Sequence, residues 1–133
     1  DISNPLMWAH YANGFRGIAL EYELPEGNDL RKVEYDGPPT LSSEEIGAGN
    51  TRAALLHKAP HWEYENEWRL FHDKEHYPLK PTGIVFGYQS EKQGYKFDAL
   101  DKLAKKLEIA RYYLAPNNGK KDCYKVVPKT DEH

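Results

Sequence analysis

Residues 17–24, Gly-Ile-Ala-Leu-Glu-Tyr-Glu-Leu, alternate: Ile18, Leu20, Tyr22 and Leu24 fall on one side of an extended chain, Ala19, Glu21 and Glu23 on the other. This two-residue period belongs to a strand with one buried face; wound into a helix, the same residues would scatter their apolar side chains. Pro25-Glu26-Gly27-Asn28-Asp29 turns the chain, and Leu30 to Tyr35 reads as a second strand, so the two segments are predicted to pair as a hairpin. Further strands are expected over about 66–72 and in Gly83-Ile84-Val85-Phe86-Gly87-Tyr88-Gln89. The last two, 110–116 and 123–128, flank a turn whose Asn118-Gly119 pair favours a tight hairpin.

Helices are fewer and short. Ser3 or Asn4 can cap a helix over about 5–12, with Pro5 in its first turn and Asn13-Gly14 supplying the left-handed stop. Ser42 or Ser43 with Glu45 resembles a capping box, but Gly47 and Gly49 interrupt the next turns, so the stable helix is placed near 51–58. In 97–107 Leu100, Leu103, Ala104 and Leu107 recur at helical spacing, while Lys102, Lys105 and Lys106 face water. The order of elements predicts an α+β fold with a mostly antiparallel sheet and short helices near 5–12, 51–58 and 97–107.

At 133 residues the chain is expected to form a single domain, 1–133. Hydrophobic residues make up 39%, but 3 Trp, 10 Tyr and 4 Phe supply enough area per side chain for a core, which excludes a disordered chain. A net charge of −3 with interspersed signs argues against electrostatic wrapping of a nucleic-acid duplex. No run of 18 apolar residues offers a membrane span, and no signal-peptide pattern opens the sequence, so a cytoplasmic location is expected. The one cysteine, Cys123, has no CxxC partner and reads as a strand residue. The chain starts at Asp1 and its only methionine is Met7, which points to residues upstream.

Two aromatic segments concentrate the chemistry. The first, Leu6 to Gly17, holds Trp8, His10, Tyr11 and Arg16. On a helix His10 lies beside Leu6 and Met7, where a hydrogen-bonded core histidine competes with a proton-transfer role; Arg16 reaches either a ligand anion or the helix C-terminal carbonyls. The second segment is His61 to Phe71. If 65–71 is extended, Glu65, Glu67, Arg69 and Phe71 share a face, opposite Asn66, Trp68 and Leu70. Arg69 would then hold one carboxylate ionised while the other becomes a general acid or base; the competing reading is a ladder of surface ion pairs. No metal site is expected: Pro60 separates His57 from His61, and His72-Asp73-Lys74-Glu75-His76 runs into a loop. Phosphate-loop, dinucleotide, nucleophile-elbow and zincin motifs are absent, and no cofactor is named by the sequence.

Met7-Trp8-Ala9-His10-Tyr11-Ala12, followed by Arg16-Gly17 and an apolar strand ending in an acidic residue, resembles an uncharacterised bacterial domain family. Its second signature corresponds to Lys58 and Trp62-Glu63-Tyr64-Glu65-Asn66-Glu67-Trp68-Arg69, and its third to Ile84-Val85-Phe86-Gly87-Tyr88. The likeness spans roughly residues 1–90. It implies no settled activity, but an origin in bacteria or phages near mobile elements and defence genes. It also implies an N-terminal half, with an Asn-Asp-Pro motif, that this chain lacks. The chain would then be the C-terminal part of a larger domain and is expected to self-associate over its open side. Glu65-Asn66-Glu67 also resembles the Glu-x-Glu element of ADP-ribosyltransferases, whose second Glu engages a nicotinamide ribose; so short a pattern carries no assignment of NAD.

Together these readings predict a site for a nucleotide-like or phosphorylated small molecule. His10, Glu65 and Glu67 are its candidate catalytic residues, and Trp8, Tyr11, Arg16, Lys58, Trp62, Trp68 and Arg69 its ligand-binding residues. The alternative is a non-enzymatic interaction module of a mobile-element or defence system.

Overall fold

The computed structural model describes residues 1–37, 42–44, 51–118 and 123–130. It confirms the α+β class and divides the chain into two compact units: residues 1–24 with 78–133, and residues 25–77.

The first unit is built on a four-stranded sheet. Its strands are β1 (Ile18–Tyr22), β4 (Pro81–Phe86), β5 (Ala110–Pro116) and β6 (Tyr124–Pro128), in the order β1-β4-β5-β6. The β1–β4 and β5–β6 pairs are antiparallel, whereas β4 and β5 run parallel. A parallel pair needs a long crossover, and α3 (Tyr95–Lys106) lies in it. Alternation along β4 explains its continuous apolar run. Val85 joins Trp8, Ala12 and Leu114 in one cluster, while Ile84 and Phe86 join Ala104 in another. The sheet is thus covered by α1 (Pro5–Tyr11) on one face and α3 on the other, and β4 is buried on both.

The start of α1 follows the predicted punctuation: the Asn4 side chain accepts a hydrogen bond from the Leu6 N–H at 3.0 Å, and Pro5 occupies the first turn. After the helix, Asn13, Gly14 and Phe15 take φ of 48°, 59° and 67°, three left-handed residues in succession. Glycine adopts that region freely and asparagine readily, but Phe15 does so only at a cost, so the run is pinned from outside. The Phe15 ring lies 5.0 Å from Tyr88 and 5.1 Å from Tyr124, and its carbonyl accepts from the Gln89 N–H at 3.1 Å. Close approach is what requires Gly87, where any Cβ would collide with that same carbonyl.

The second unit has a two-stranded antiparallel sheet, β2 (Asp29–Lys32) against β3 (Trp68–Phe71), with Arg31 opposite Arg69. A single parallel bridge joins Glu34 to His57. Its helical turns are α2 (Thr51–Ala54) and a 3-10 turn over Pro60–Glu65, closed by left-handed Asn66. Val33 and Glu65 are the residues buried here among those described.

Five expectations are corrected. The 18–24 and 30–35 strands do not form a hairpin: β1 pairs with β4 and β2 with β3, since periodicity reveals a strand without choosing its partner. The helix placed over 51–58 stops at Ala54, and the strand placed over 66–72 is Trp68–Phe71. The extended row 65–71 begins too early, because Pro60 presets a helical turn that carries Glu65. On α3 the buried residues are Asp101 and Ala104, while Leu100, Leu103 and Leu107 are exposed. Glu45 of the capping box and Gly119 of the last turn lie outside the described residues. Cys123 directly precedes β6 and is exposed.

Candidate functional site

Four of the expected site residues converge in the second unit, around a different backbone from the one anticipated. Lys58 comes directly after the Glu34–His57 bridge, where its N–H donates to the Glu34 carbonyl at 2.9 Å. Its ammonium reaches the Glu65 carboxylate and lies 3.3 Å from Glu67. Arg69, on β3, clasps Glu67 through two donors, Nε at 2.7 Å and a terminal nitrogen at 3.1 Å, and donates also to the Leu55 carbonyl. The result is a chain of alternating charge, Glu65–Lys58–Glu67–Arg69. The left-handed Asn66 turns Glu65 out of the strand, yet its carboxylate still joins Glu67 at one lysine.

Burial differs along the chain of charges. The Glu65 side chain is 4% exposed, those of Glu67 and Arg69 30% each, and that of Lys58 24%. Glu65 is therefore the anchor, and Glu67 with Arg69 is the accessible end. Hydrogen bonding from Arg69, then from Lys58, holds the Glu67 carboxyl below the usual carboxylate range against the opposing effect of burial. Arg69 is raised in turn by Glu67, and Lys58 by Glu65. Tyr35 was not singled out in the sequence; its hydroxyl accepts the Glu67 N–H at 2.7 Å and fixes the backbone where the network meets solvent. The only trace of it was its place in the alternation after β2.

The aromatics divide. Trp62, on the 3-10 turn, has its ring 5.1 Å from the Lys58 ammonium and 6.0 Å from Tyr64. Trp68 is next to Arg69 on β3, so strand alternation sends it to the opposite face.

Trp8, His10, Tyr11 and Arg16 lie in the first unit. Trp8 is buried and donates its indole N–H to the Ile2 carbonyl at 2.7 Å; it also borders a 230 Å³ apolar hollow with Tyr11. His10 is exposed on α1, 6.4 Å from the Tyr11 ring, and is not the core histidine of the competing reading. Arg16 borders a separate cavity beside the N-terminus of α3.

One gathering of metal-ligand types was passed over in the sequence. Glu34, Asp36 and His57 bring their ligand atoms within 4.8 Å of one another across the parallel bridge. His57 and Asp36 are 2.7 Å apart, and that hydrogen bond raises the histidine while lowering the carboxyl. The His57–Asp36 ion pair and the Glu34–His57 backbone bridge account for their approach.

Among the described residues no helix is long and apolar enough to cross a membrane. Neither the curated proteins nor the solved structures contain a match to this chain. Residues 7–70, from α1 through the charged cluster to β3, are similar to a family described as Protein of unknown function (DUF2971), which supports the uncharacterised family that the aromatic segments suggested.

Proposed function

We propose that the chain binds a nucleotide-like or phosphorylated small molecule at the Lys58–Glu65–Glu67–Arg69 cluster. The observation that carries this reading is the state of Glu67, a carboxylate kept ionised by Arg69 and Lys58 and still 30% exposed. Such a group accepts hydrogen bonds from paired hydroxyls, as on a ribose. Arg69 and Lys58 have N–H groups for a phosphoryl oxygen beside them. The Trp62 ring over Lys58 offers an aromatic face for a base.

Glu67 serves in this reading as an acceptor. A general acid or base works best with a pKa near the operating pH, and Glu67 is displaced the other way. His10 stands on α1 in the first unit, and no proton transfer is assigned to it.

Calorimetric titration with AMP and with ribose 5-phosphate tests the proposal. Saturable binding is expected, weakened about 10-fold or more in Glu67→Gln, as for loss of a charged hydrogen bond. No binding of either compound, or equal affinity in Glu67→Gln and Arg69→Met, would overturn it.

A further inference from the structure

A second cavity, wholly within the first unit, differs in kind from the charged cluster. It encloses about 200 Å³ between the Asn13–Gly17 loop, the 3-10 turn Ser90–Gln93 and the first turns of α3. Its floor is apolar, made by Ile18, Phe86, Phe97 and Leu100. Its rim carries Arg16 and Lys96, and no acidic residue is among its lining. In a chain of net charge −3 this is a local concentration of positive charge, with Asp98 in the same turn of the helix as Lys96 but outside the lining. Among the described residues neither Arg16 nor Lys96 has an ion-pair partner, in contrast to Lys58 and Arg69.

Two further features point to an anion. The 12-residue helix α3 begins at this cavity with Gly94 at its N-cap and no side-chain capping hydrogen bond, so its first N–H groups are unanswered by a capping side chain, while Asp98 in the first turn offsets part of its dipole. Independently, Ser90, 2% exposed at the cavity wall, has its Oγ buried with no hydrogen-bond partner among the described residues. A buried orphan hydroxyl forfeits its hydration without replacement, and such groups are uncommon in native folds unless something else satisfies them. The Arg16 loop is also over-determined. Its left-handed Phe15 holds a backbone conformation costly to a bulky residue, and strain of this kind concentrates at ligand clamps. Backbone hydrogen bonds lock the loop to the end of β4: Gly87 N–H to the Gly17 carbonyl at 3.0 Å and Gln89 N–H to the Phe15 carbonyl.

We infer that this cavity binds a small phosphate monoester with an apolar body. The phosphoryl group would meet Arg16, Lys96 and the α3 N-terminus, with the Ser90 hydroxyl as an added donor. The body would lie on Phe86, Phe97 and Leu100. At about 30 Å³ for each water-sized group the hollow takes roughly seven such groups, enough for a phenyl ring or short chain with the phosphoryl group at its open rim.

The test is NMR or calorimetric titration of the full chain with inorganic phosphate, phenyl phosphate and phenol. Phenyl phosphate is expected to bind at least about 10-fold more tightly than inorganic phosphate, and phenol not at all. Arg16→Met and Lys96→Met, both at exposed positions that leave the core intact, are each expected to weaken phenyl phosphate about 10-fold or more. Ser90→Ala is expected to weaken it less, and Glu67→Gln to leave it unchanged, so failure here is distinguishable from failure of the ribose-binding proposal. Binding that ignores Arg16→Met and Lys96→Met, equal binding of phenol, or no binding of phenyl phosphate at millimolar concentration would each overturn the inference.

Discussion

At the scale of single residues the second unit is governed by where charge is allowed to be buried. Glu65 is tolerated in a nearly dry position because Lys58 meets it, and Glu67 is tolerated nearer the surface because Arg69 grips it with two donors. The direction of the Glu67 shift sets a pH dependence. Its folded pKa lies below the ordinary 4.5, so its contribution is present above that value and lost as pH falls through the folded one. Glu67→Gln is therefore expected to be less stable than the parent at about pH 7, and the gap between them to be smaller at about pH 3. Urea midpoints at both pH values measure this; a gap that stays constant contradicts it. Other depressed carboxyls, such as Asp29 and Asp101, are common to both proteins and cancel in the comparison. Glu65, Glu67 and Arg69 were legible in the aromatic segment that holds them, and Lys58 through the family resemblance; that the four meet is what the tertiary structure adds. Tyr35 and Ser90 were not legible, because a single polar residue in a periodic strand or turn carries no sign of the backbone or cavity it will meet.

At the scale of the element, α3 shows how a helix can keep its predicted length and turn a different face inward. The leucines at helical spacing suggested a greasy stripe, but the sheet receives Phe97, Asp101 and Ala104 instead. Asp101 is there because two cations wait for it: Arg111 on β5 at 3.1 Å and Lys129, just beyond β6, at 2.9 Å. Lys129 in turn sits 5.0 Å from the Phe97 ring and 5.3 Å from that of Tyr113. Burial pushes the Asp101 carboxyl up, but hydrogen bonds from Lys129 and Arg111 outweigh it and leave it below the usual range. The three side chains are 11–14% exposed, so removing the anion takes an ion pair from each of two nearly buried cations. Asp101→Asn is expected to destabilise the first unit by about 3–5 kcal/mol, the cost of breaking a buried pair from one side. A thermal midpoint unchanged from the parent would refute that. Asp101→Asn matters for α3 as a whole, since the triad joins the helix to both strands that come after it.

At the scale of the molecule, the first unit is made of two chain segments with the second unit inserted between them. Tyr22 and Pro81 are register partners across β1 and β4, so the ends left by removing residues 25–77 are neighbours on an antiparallel pair. Replacing that segment by a short Asn-Gly turn is expected to leave the first unit folded. The excision carries its own reporter: Trp62 and Trp68 go with the removed segment, and Trp8 alone remains. Blue-shifted Trp8 fluorescence lost in one cooperative melt is the expected result; solvent-exposed emission at all temperatures would show that the first unit needs the second. By itself the sequence determined what is local: the limits of α1, the strand periods, the β5–β6 pairing and the α+β class. Capping, backbone φ preferences and side-chain alternation act over a few residues and are readable there. Only the tertiary structure decided the partners of β1 and β2, the inward face of α3, the departure of Glu65 from the strand and the cavity beside Arg16. Each depends on which distant surface satisfies a hydrogen bond, a charge or an apolar face, and no period in the chain encodes that choice.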